Sequence, residues 1–487
     1  MVQTPMPRVK LLGLAGTALA LTACSLAPPY APPQIAMPSA YKEMGPWTPA
    51  IPADAAPRGP WWTVYGDETL NRLEQRIETG NPDLALALAR YDEARANLAQ
   101  ARAGLAPELD IGGSATGNRQ SADRPLRVGG ATYYQNDTVG STISYELDLW
   151  GRVRNMVAAG KANAQASAAD VASVRLSLEA QLADAYLNLR GLDAQAGLLD
   201  QATSAYAKAQ DLTEILHTGG AVAGLDVGRA KTQLQSTQAL RTDVGAERAL
   251  YEHAIAALVG EPASVFSITP DAKLPPTPRT PVSAPSELLQ RRPDIAAAER
   301  RAAAANAQIG VARAALFPTL TLDATGGFKT AGAGSLLSAA NSWWTLGPSL
   351  AMSLFDGGRR KAVVRASRDQ FDEASAVYKS TVLTAFQQVE DNLALCNRLA
   401  FEARQQSDAV TAAQQTEALA LVQYRMGAVT YLDVVTAQTV DLQAQRTELS
   451  VETRRLLASV DLVRALGGGW IPTTVAAAPP AAAAAAD

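Results

Sequence analysis

Residues 138–149 read Thr-Val-Gly-Ser-Thr-Ile-Ser-Tyr-Glu-Leu-Asp-Leu, and this stretch decides the fold. Val139, Ile143, Tyr145, Leu147 and Leu149 alternate with Thr138, Thr142, Ser144, Glu146 and Asp148, the period of a strand with one apolar and one polar face. The same alternation recurs in 108–116. It recurs again in 319–328, where Leu320, Leu322, Ala324 and Phe328 interleave with Thr319, Thr321, Asp323 and Thr325, and in 344–354, through Trp344, Leu346, Leu350, Met352 and Leu354. Each segment is about 10 residues long, the length of a tilted strand crossing a bilayer. Tyr133-Tyr134 and Trp343-Trp344 open the second strand of each hairpin, where an interfacial aromatic belt is expected. A half-buried soluble sheet has the same period, so alternation alone leaves both readings open. Glu146 and Asp148, on the wet face, read as lumen solvation or as a selectivity site.

Outward from these hairpins the chain becomes helical. No proline occurs between Pro125 and Pro262 or between Pro348 and Pro472, gaps of 136 and 123 residues rich in Ala, Gln and Leu. Strong helix formers without breakers predict very long helices at 152–216 and 359–425. A helix of about 65 residues, rising about 1.5 Å per residue, is close to 100 Å long. Glycines at 219–220 and 427 stop these runs, and second helices return from Asp226 and Asp433 to about 259 and 466. Apolar residues three and four apart give them the amphipathicity of a coiled-coil hairpin. Shorter helices, 83–105 and 294–316, precede each strand pair and end before Pro107 and Pro318.

The two halves repeat each other. Pro82-Asp83 and Pro107 match Pro293-Asp294 and Pro318 at an offset of 211. Gly151-Arg152, Gly220-Ala221-Val222 and Leu225-Asp226-Val227 match Gly358-Arg359, Gly427-Ala428-Val429 and Leu432-Asp433-Val434 at 207. A duplicated helix–hairpin–long helix–helix unit accounts for both registers. The expected divisions are 62–261 for the first repeat, 262–285 for a Pro-rich bridge, 286–470 for the second repeat, and 471–487 for a disordered Pro/Ala tail.

The N-terminus reads as an export signal over 1–23, with Arg8 and Lys10 before a short apolar stretch. It ends Leu21-Thr22-Ala23-Cys24, which resembles a bacterial lipobox, so Cys24 is the expected site of a covalent lipid and 24–61 an extended tether. Removing the signal takes away two positive charges and moves the net charge from −4 to −6. Such a balance excludes a dedicated nucleic-acid binder. Two histidines, His217 and His253, and two cysteines, Cys24 and Cys396, argue against a metal centre or a disulfide framework, and no catalytic cluster or phosphate loop is legible. Neither an enzyme nor a cofactor beyond the lipid is expected. Cys396 reads as a small buried hydrophobe. No segment supplies a transmembrane helix, so a membrane crossing would have to be a β-barrel. Four strands cannot close one; three chains would pool twelve.

Arg291-Arg292-Pro293-Asp294-Ile295, Ala298-Glu299, Ala307-Gln308-Ile309-Gly310 and Phe317-Pro318 together resemble the lipoprotein, OprM-like branch of the TolC family of outer membrane factors. The resemblance spans Trp62 to about Trp470. It implies a mainly α fold with transmembrane β, as a homotrimer with a 12-stranded β-barrel joined to a 12-helix periplasmic α-barrel. The implied function is the exit duct of a tripartite efflux pump, embedded in outer membrane lipid, with a periplasmic adaptor and an inner-membrane efflux transporter, of the resistance-nodulation-division type, as partners. A type I protein-secretion duct, or a structural coiled-coil lipoprotein without a pore, is the alternative. Gly220, Asp226, Tyr424, Gly427 and Asp433 match the family's periplasmic tip and gate. The arginine that some members place two residues after the second tip glycine is Val429 here, with Arg425 the available substitute. Simpler roles stand beside these. Asp226 and Asp433 could cap the helices they begin, Tyr424 could be coiled-coil core, and Gly220 and Gly427 could be turn residues. A ring of three aspartates around a narrow axis could also attract cations.

Overall fold

A computed structural model describes residues 25–35, 40–43, 60–121, 132–278, 292–331 and 335–468. Cys24, the export signal, most of the remaining tether and the 471–487 tail lie outside the described residues. The elements are helices α1 (Glu68–Gly80) and α2 (Pro82–Ala103), strands β1 (Glu108–Arg119) and β2 (Tyr133–Glu146), and helices α3 (Arg152–Thr218) and α4 (Gly224–Leu258). The second repeat follows with α5 (Pro293–Ala314), β3 (Thr319–Thr330), β4 (Ser342–Ala351), α6 (Arg359–Arg425) and α7 (Tyr431–Ala465). The two longest helices have 67 residues each and the two returning ones 35 each, so the duplication is retained to the residue. Helix α1 is an element the sequence reading leaves unassigned. Asp67 caps it, accepting from the amides of Thr69 (2.8 Å) and Leu70 (3.0 Å).

Contacts divide the chain into two compact units, each drawing on both repeats. The first holds 25–34, Arg90–Ser167 and Ala297–Tyr378, and its centre is one antiparallel sheet ordered β1-β2-β3-β4. The two hairpins are therefore joined, with β2 pairing β3 from Asp137↔Thr330 to Glu146↔Thr321. Cross-strand partners share a face. Leu109↔Ile143↔Ala324↔Leu346 and Val139↔Phe328 fall on one face, Asp110↔Thr142↔Thr325↔Thr345 and Ser144↔Asp323 on the other. The apolar face is left open, with Ile111 80% and Leu350 69% exposed. The aromatic pairs need a correction: adjacent residues point to opposite faces. The register puts Tyr133 and Trp344 with the apolar set, whereas Tyr134 and Trp343 fall on the polar face.

Glu146 and Asp148 are not free solvating acids. Glu146 accepts from Arg152 Nε (2.8 Å), and Asp148 accepts from the amides of Val153 (3.1 Å) and Arg154 (2.9 Å), capping the start of α3. Asp356 repeats the arrangement at α6, accepting from Gly358 N (3.0 Å) and Arg360 Nε (2.6 Å). The Arg360 guanidinium holds its carboxyl down at about 2.

The described start of the tether is extended but docked rather than loose. Ser25 Oγ donates to Asn155 Oδ1 (2.9 Å), Tyr30 OH to Glu299 Oε1 (2.8 Å), Asn306 Nδ2 to Pro28 O (2.8 Å) and Arg313 Nη1 to Leu26 O (3.1 Å). Gly310 admits this strap: a Cβ there would stand 2.8 Å from Ala27 Cβ and 2.5 Å from Asn155 Nδ2.

The second unit holds Ile35–Ala89, Ala168–Ala296 and Lys379–Asp487 and carries a helical core around Leu182, Tyr186, Leu187, Leu189 and Leu199, all fully buried. Arg190, Asp193 and Arg248 form a buried ion network, with Asp193 within 3.2 Å of Arg190 and 2.6 Å of Arg248. It also grips the bridge through Arg190 Nη1 to Thr269 O (3.0 Å) and Asp271 N to Asp193 Oδ2 (3.1 Å). The Arg-Pro-Asp motif is structural in the same way. Arg292 Nη2 donates to Asp294 Oδ2 (2.6 Å), and its Nη1 reaches Gln388 Oε1 (2.8 Å) and Ala465 O (3.1 Å). No described helix is long and apolar enough to cross a membrane.

Candidate functional site

Both long helices stop alike. Gly220 and Gly427 follow their ends with φ of 74° and 73°. Gly220 N donates to His217 O (2.9 Å) and Ala221 N to Leu216 O (2.8 Å); Gly427 N donates to Tyr424 O (2.9 Å) and Ala428 N to Gln423 O (2.9 Å). A left-handed residue turns the chain so that these amides reach the last open carbonyls, a conformation that glycine adopts without strain. The turn reading of the two glycines therefore holds.

The returning helices start earlier than the sequence suggests, at Gly224 and Tyr431, so Asp226 and Asp433 stand third in their helices and neither is the N-cap. At the second tip Thr430 is the N-cap. The Asp433 carboxylate accepts from Thr430 N (2.9 Å) and Thr430 Oγ1 (2.7 Å), closing a reciprocal capping box. These bonds hold the Asp433 carboxyl below its usual range. At the first tip the equivalent residue is Ala223, which has no side-chain oxygen to offer. Asp226 is thereby released from capping and pairs with Arg229 at 3.1 Å. Two aspartates equivalent in sequence thus have different work.

Tyr424 stacks at a tilt on Tyr431, ring centroids 5.3 Å apart. Tyr431 belongs to a small core with Ala230 and Val434, against which Tyr424 also packs. Burial raises the Tyr424 phenol, and the charge of Asp226 adds to the effect. Tyr424 is consequently both core and a neighbour of Asp226. Arg425 is exposed and lines a groove of about 660 Å³ with Lys208, Asp200, Glu417 and Leu421. Burial, then the charge of Asp441, pushes the Glu417 carboxyl up. His217 is a tip residue the sequence reading misses. It stands 207 residues before Tyr424 in the repeat register, and its Nδ1 lies 2.9 Å from Val222 O across the first turn.

Among the described residues no group of His, Cys, Asp and Glu is arranged to hold a metal ion. What the tips offer is a pair of short, glycine-closed turns carrying acids and aromatics at the ends of helix hairpins. The sheet, for its part, presents an uncovered apolar face.

The family model described as outer membrane efflux protein matches residues 73–261 and 284–468, and the chain belongs to that family. It is 32% identical over 467 residues to the probable efflux pump outer membrane protein TtgC of Pseudomonas putida, covering 95% of this chain and 96% of that one. It is 33% identical over 472 residues to the pyoverdine export outer membrane protein OpmQ of Pseudomonas aeruginosa, covering 95% and 97%. The open-state structure of the MtrE outer membrane channel of Neisseria gonorrhoeae superposes with a TM-score of 0.81 at 27% identity, covering 92% of this chain and 98% of that one. The chain is an outer-membrane efflux protein, and these relatives are named as an efflux pump outer membrane protein, an export outer membrane protein and an outer membrane channel.

Proposed function

We propose that the protein is the exit duct of a tripartite efflux pump, working as a homotrimer that passively exports small toxic compounds. The observation that carries this reading is the sheet. It has four antiparallel strands, an apolar face open to the outside, and β1 and β4 each bonded along one edge only among the described residues. Unpaired strand edges are not tolerated in lipid, so β1 of one chain must find β4 of another. The order makes that junction antiparallel, and three copies supply twelve strands.

In this reading the hairpin tips form the periplasmic gate. Asp226, beside Tyr424 and free of a capping role, contributes to the closed ring, whereas Asp433 chiefly holds its helix end. Gly220 and Gly427 make the turns, and the groove beside Tyr424 and Arg425 is where a periplasmic adaptor would dock. An inner-membrane efflux transporter would supply the energy. Arg425 is offset from Val429 by a full helical turn and a change of element, so a lock built on it would engage the groove rather than the tip itself. The Cys24 lipid would anchor the chain in outer membrane lipid, and the docked Ser25–Tyr30 strap would fix where that anchor emerges.

The test is conductance in planar bilayers alongside the mass of the assembled species. A trimer with discrete steps, enlarged by Asp226→Ala and unchanged in size by Asp433→Ala, supports the duct and the division of labour at its tip. A monomer that never conducts would contradict both.

A further inference from the structure

The polar face of the sheet carries a feature that solvation of a lumen does not require. Gly112, Gly140 and Gly327 lie in one cross-strand row, and the next residue in that row is Trp343. A row of three strands without side chains lets the backbones close in. A Cβ at Gly140 would meet Gly326 O at 2.7 Å, and one at Gly327 would stand 2.5 Å from Gly140 Cα. Glycines in strand interiors mark such bends and close approaches. The rest of this face is Ser, Thr and acids through most of its length, so an indole here is not explained by burial; Trp343 remains 37% exposed. Its neighbour Trp344, 79% exposed on the apolar face, suits an interface with lipid. The charges of this face are the acids Glu108, Asp110, Glu146 and Asp323, all displaced along the strands from the Trp343 row, and Lys329, two residues from Gly327, the partner of Trp343.

We propose that Trp343 is a cargo-contact residue. In the assembled barrel three Trp343 indoles project from the glycine row into the lumen as an aromatic collar that holds lipophilic aromatic cations on their way out. The chemistry is stacking of the cargo's aromatic rings on the indole, with its positive charge attracted to the same face. The proposal rests on the trimeric duct reading, which brings three copies around one lumen.

The test uses single channels in planar bilayers, with tetraphenylphosphonium as an aromatic cation and tetrabutylammonium as an aliphatic one of equal charge. Wild type is expected to be blocked by tetraphenylphosphonium at the lower concentration. Trp343→Ala should raise its half-blocking concentration about tenfold, within the range of an aromatic stacking contact, and shift tetrabutylammonium block much less. Trp343→Phe should retain most of the block, and Trp344→Ala all of it. Should the alanine variant fail to assemble, Trp343→Leu, which keeps bulk without a π face, carries the same expectation. Unchanged tetraphenylphosphonium block in the alanine or leucine variant, or an equal shift for both cations, would overturn the collar. Wild type that gives no steps at all would instead remove the duct on which the collar rests.

Discussion

At the scale of single residues, the duplication has let matched positions diverge. Thr430 and Ala223 are equivalents, and the presence of one hydroxyl decides whether the aspartate three residues on is bound to its own helix end or left beside Arg229. Thr430→Ala should therefore destabilise the second tip by about 1 kcal/mol, read as a lower midpoint in denaturant, while Ala223→Thr should stabilise the first by a similar amount and draw Asp226 away from Arg229. No change in either midpoint would contradict the capping account.

Glu74 is a second residue whose surroundings set its behaviour. It is 1% exposed, and both its carboxylate oxygens are without a hydrogen-bond partner. Burial, with the charge of Glu179 added, pushes it up from 4.5 to about 10. Glu179 is itself raised to about 7, mainly by burial, and accepts from Trp61 Nε1 at 2.9 Å. A carboxyl whose pKa is higher folded than unfolded binds more protons when folded, so its contribution falls as pH rises from the unfolded value to the folded one. For Glu74 that window runs from 4.5 to about 10, and for Glu179 from 4.5 to about 7. Glu74→Gln should raise stability at pH 8 by at least about 1 kcal/mol and flatten the decline between pH 5 and 9. A variant that tracks the wild-type pH profile would show that Glu74 is hydrated and charged.

At the scale of elements, the sequence was most legible where one period ran unbroken. The long helices ended at the glycines that stop them, at Thr218 and Arg425, and the strands fell on the alternating segments, except that 147–149 and 352–354 lie past the ends of β2 and β4, which instead begin earlier, at Tyr133 and Ser342. The ends of shorter features were less legible, because side chains distant in sequence determine them. The register that sorts Tyr133 from Tyr134 is a property of pairing, not of either strand alone. The start of α7 at Tyr431 rather than at Asp433 follows from the Thr430 capping box. Helix α1 had a readable signal in Asp67 followed by Leu70, Leu73 and Ile77, all buried on one face except the cap. At the tip, the glycines were legible from the repeat and Tyr424 from the family resemblance, whereas the unequal roles of Asp226 and Asp433 needed the partners in space.

The docked strap is also a property of pairing, since a Pro/Ala-rich composition says nothing of the surface that receives it. Gly310→Val would place a side chain where Ala27 and Asn155 meet. Overpacking of this kind costs about 1–3 kcal/mol. The expected result is faster proteolysis within residues 25–35 with the sheet still protected. Unaltered cleavage there would mean that the strap does not depend on this contact.

At the scale of the whole molecule, the central claim is that three chains complete one barrel. The single chain leaves its apolar sheet face open and, among the described residues, its first and last strands bonded along one edge only, and its long helices end in glycine-closed turns. The most direct measurement is cysteine cross-linking in intact outer membranes, after replacing Cys396 with alanine. Cysteines at Ser114, Ala115 or Thr116 of β1 are combined with cysteines at Thr345, Leu346 or Ser349 of β4, and the oxidised products are sized under denaturing conditions. The account predicts that one or more combinations give a ladder that ends at three chains. Membrane-inserted protein that stays monomeric in every combination, or a ladder that ends at two or continues past three, would contradict it.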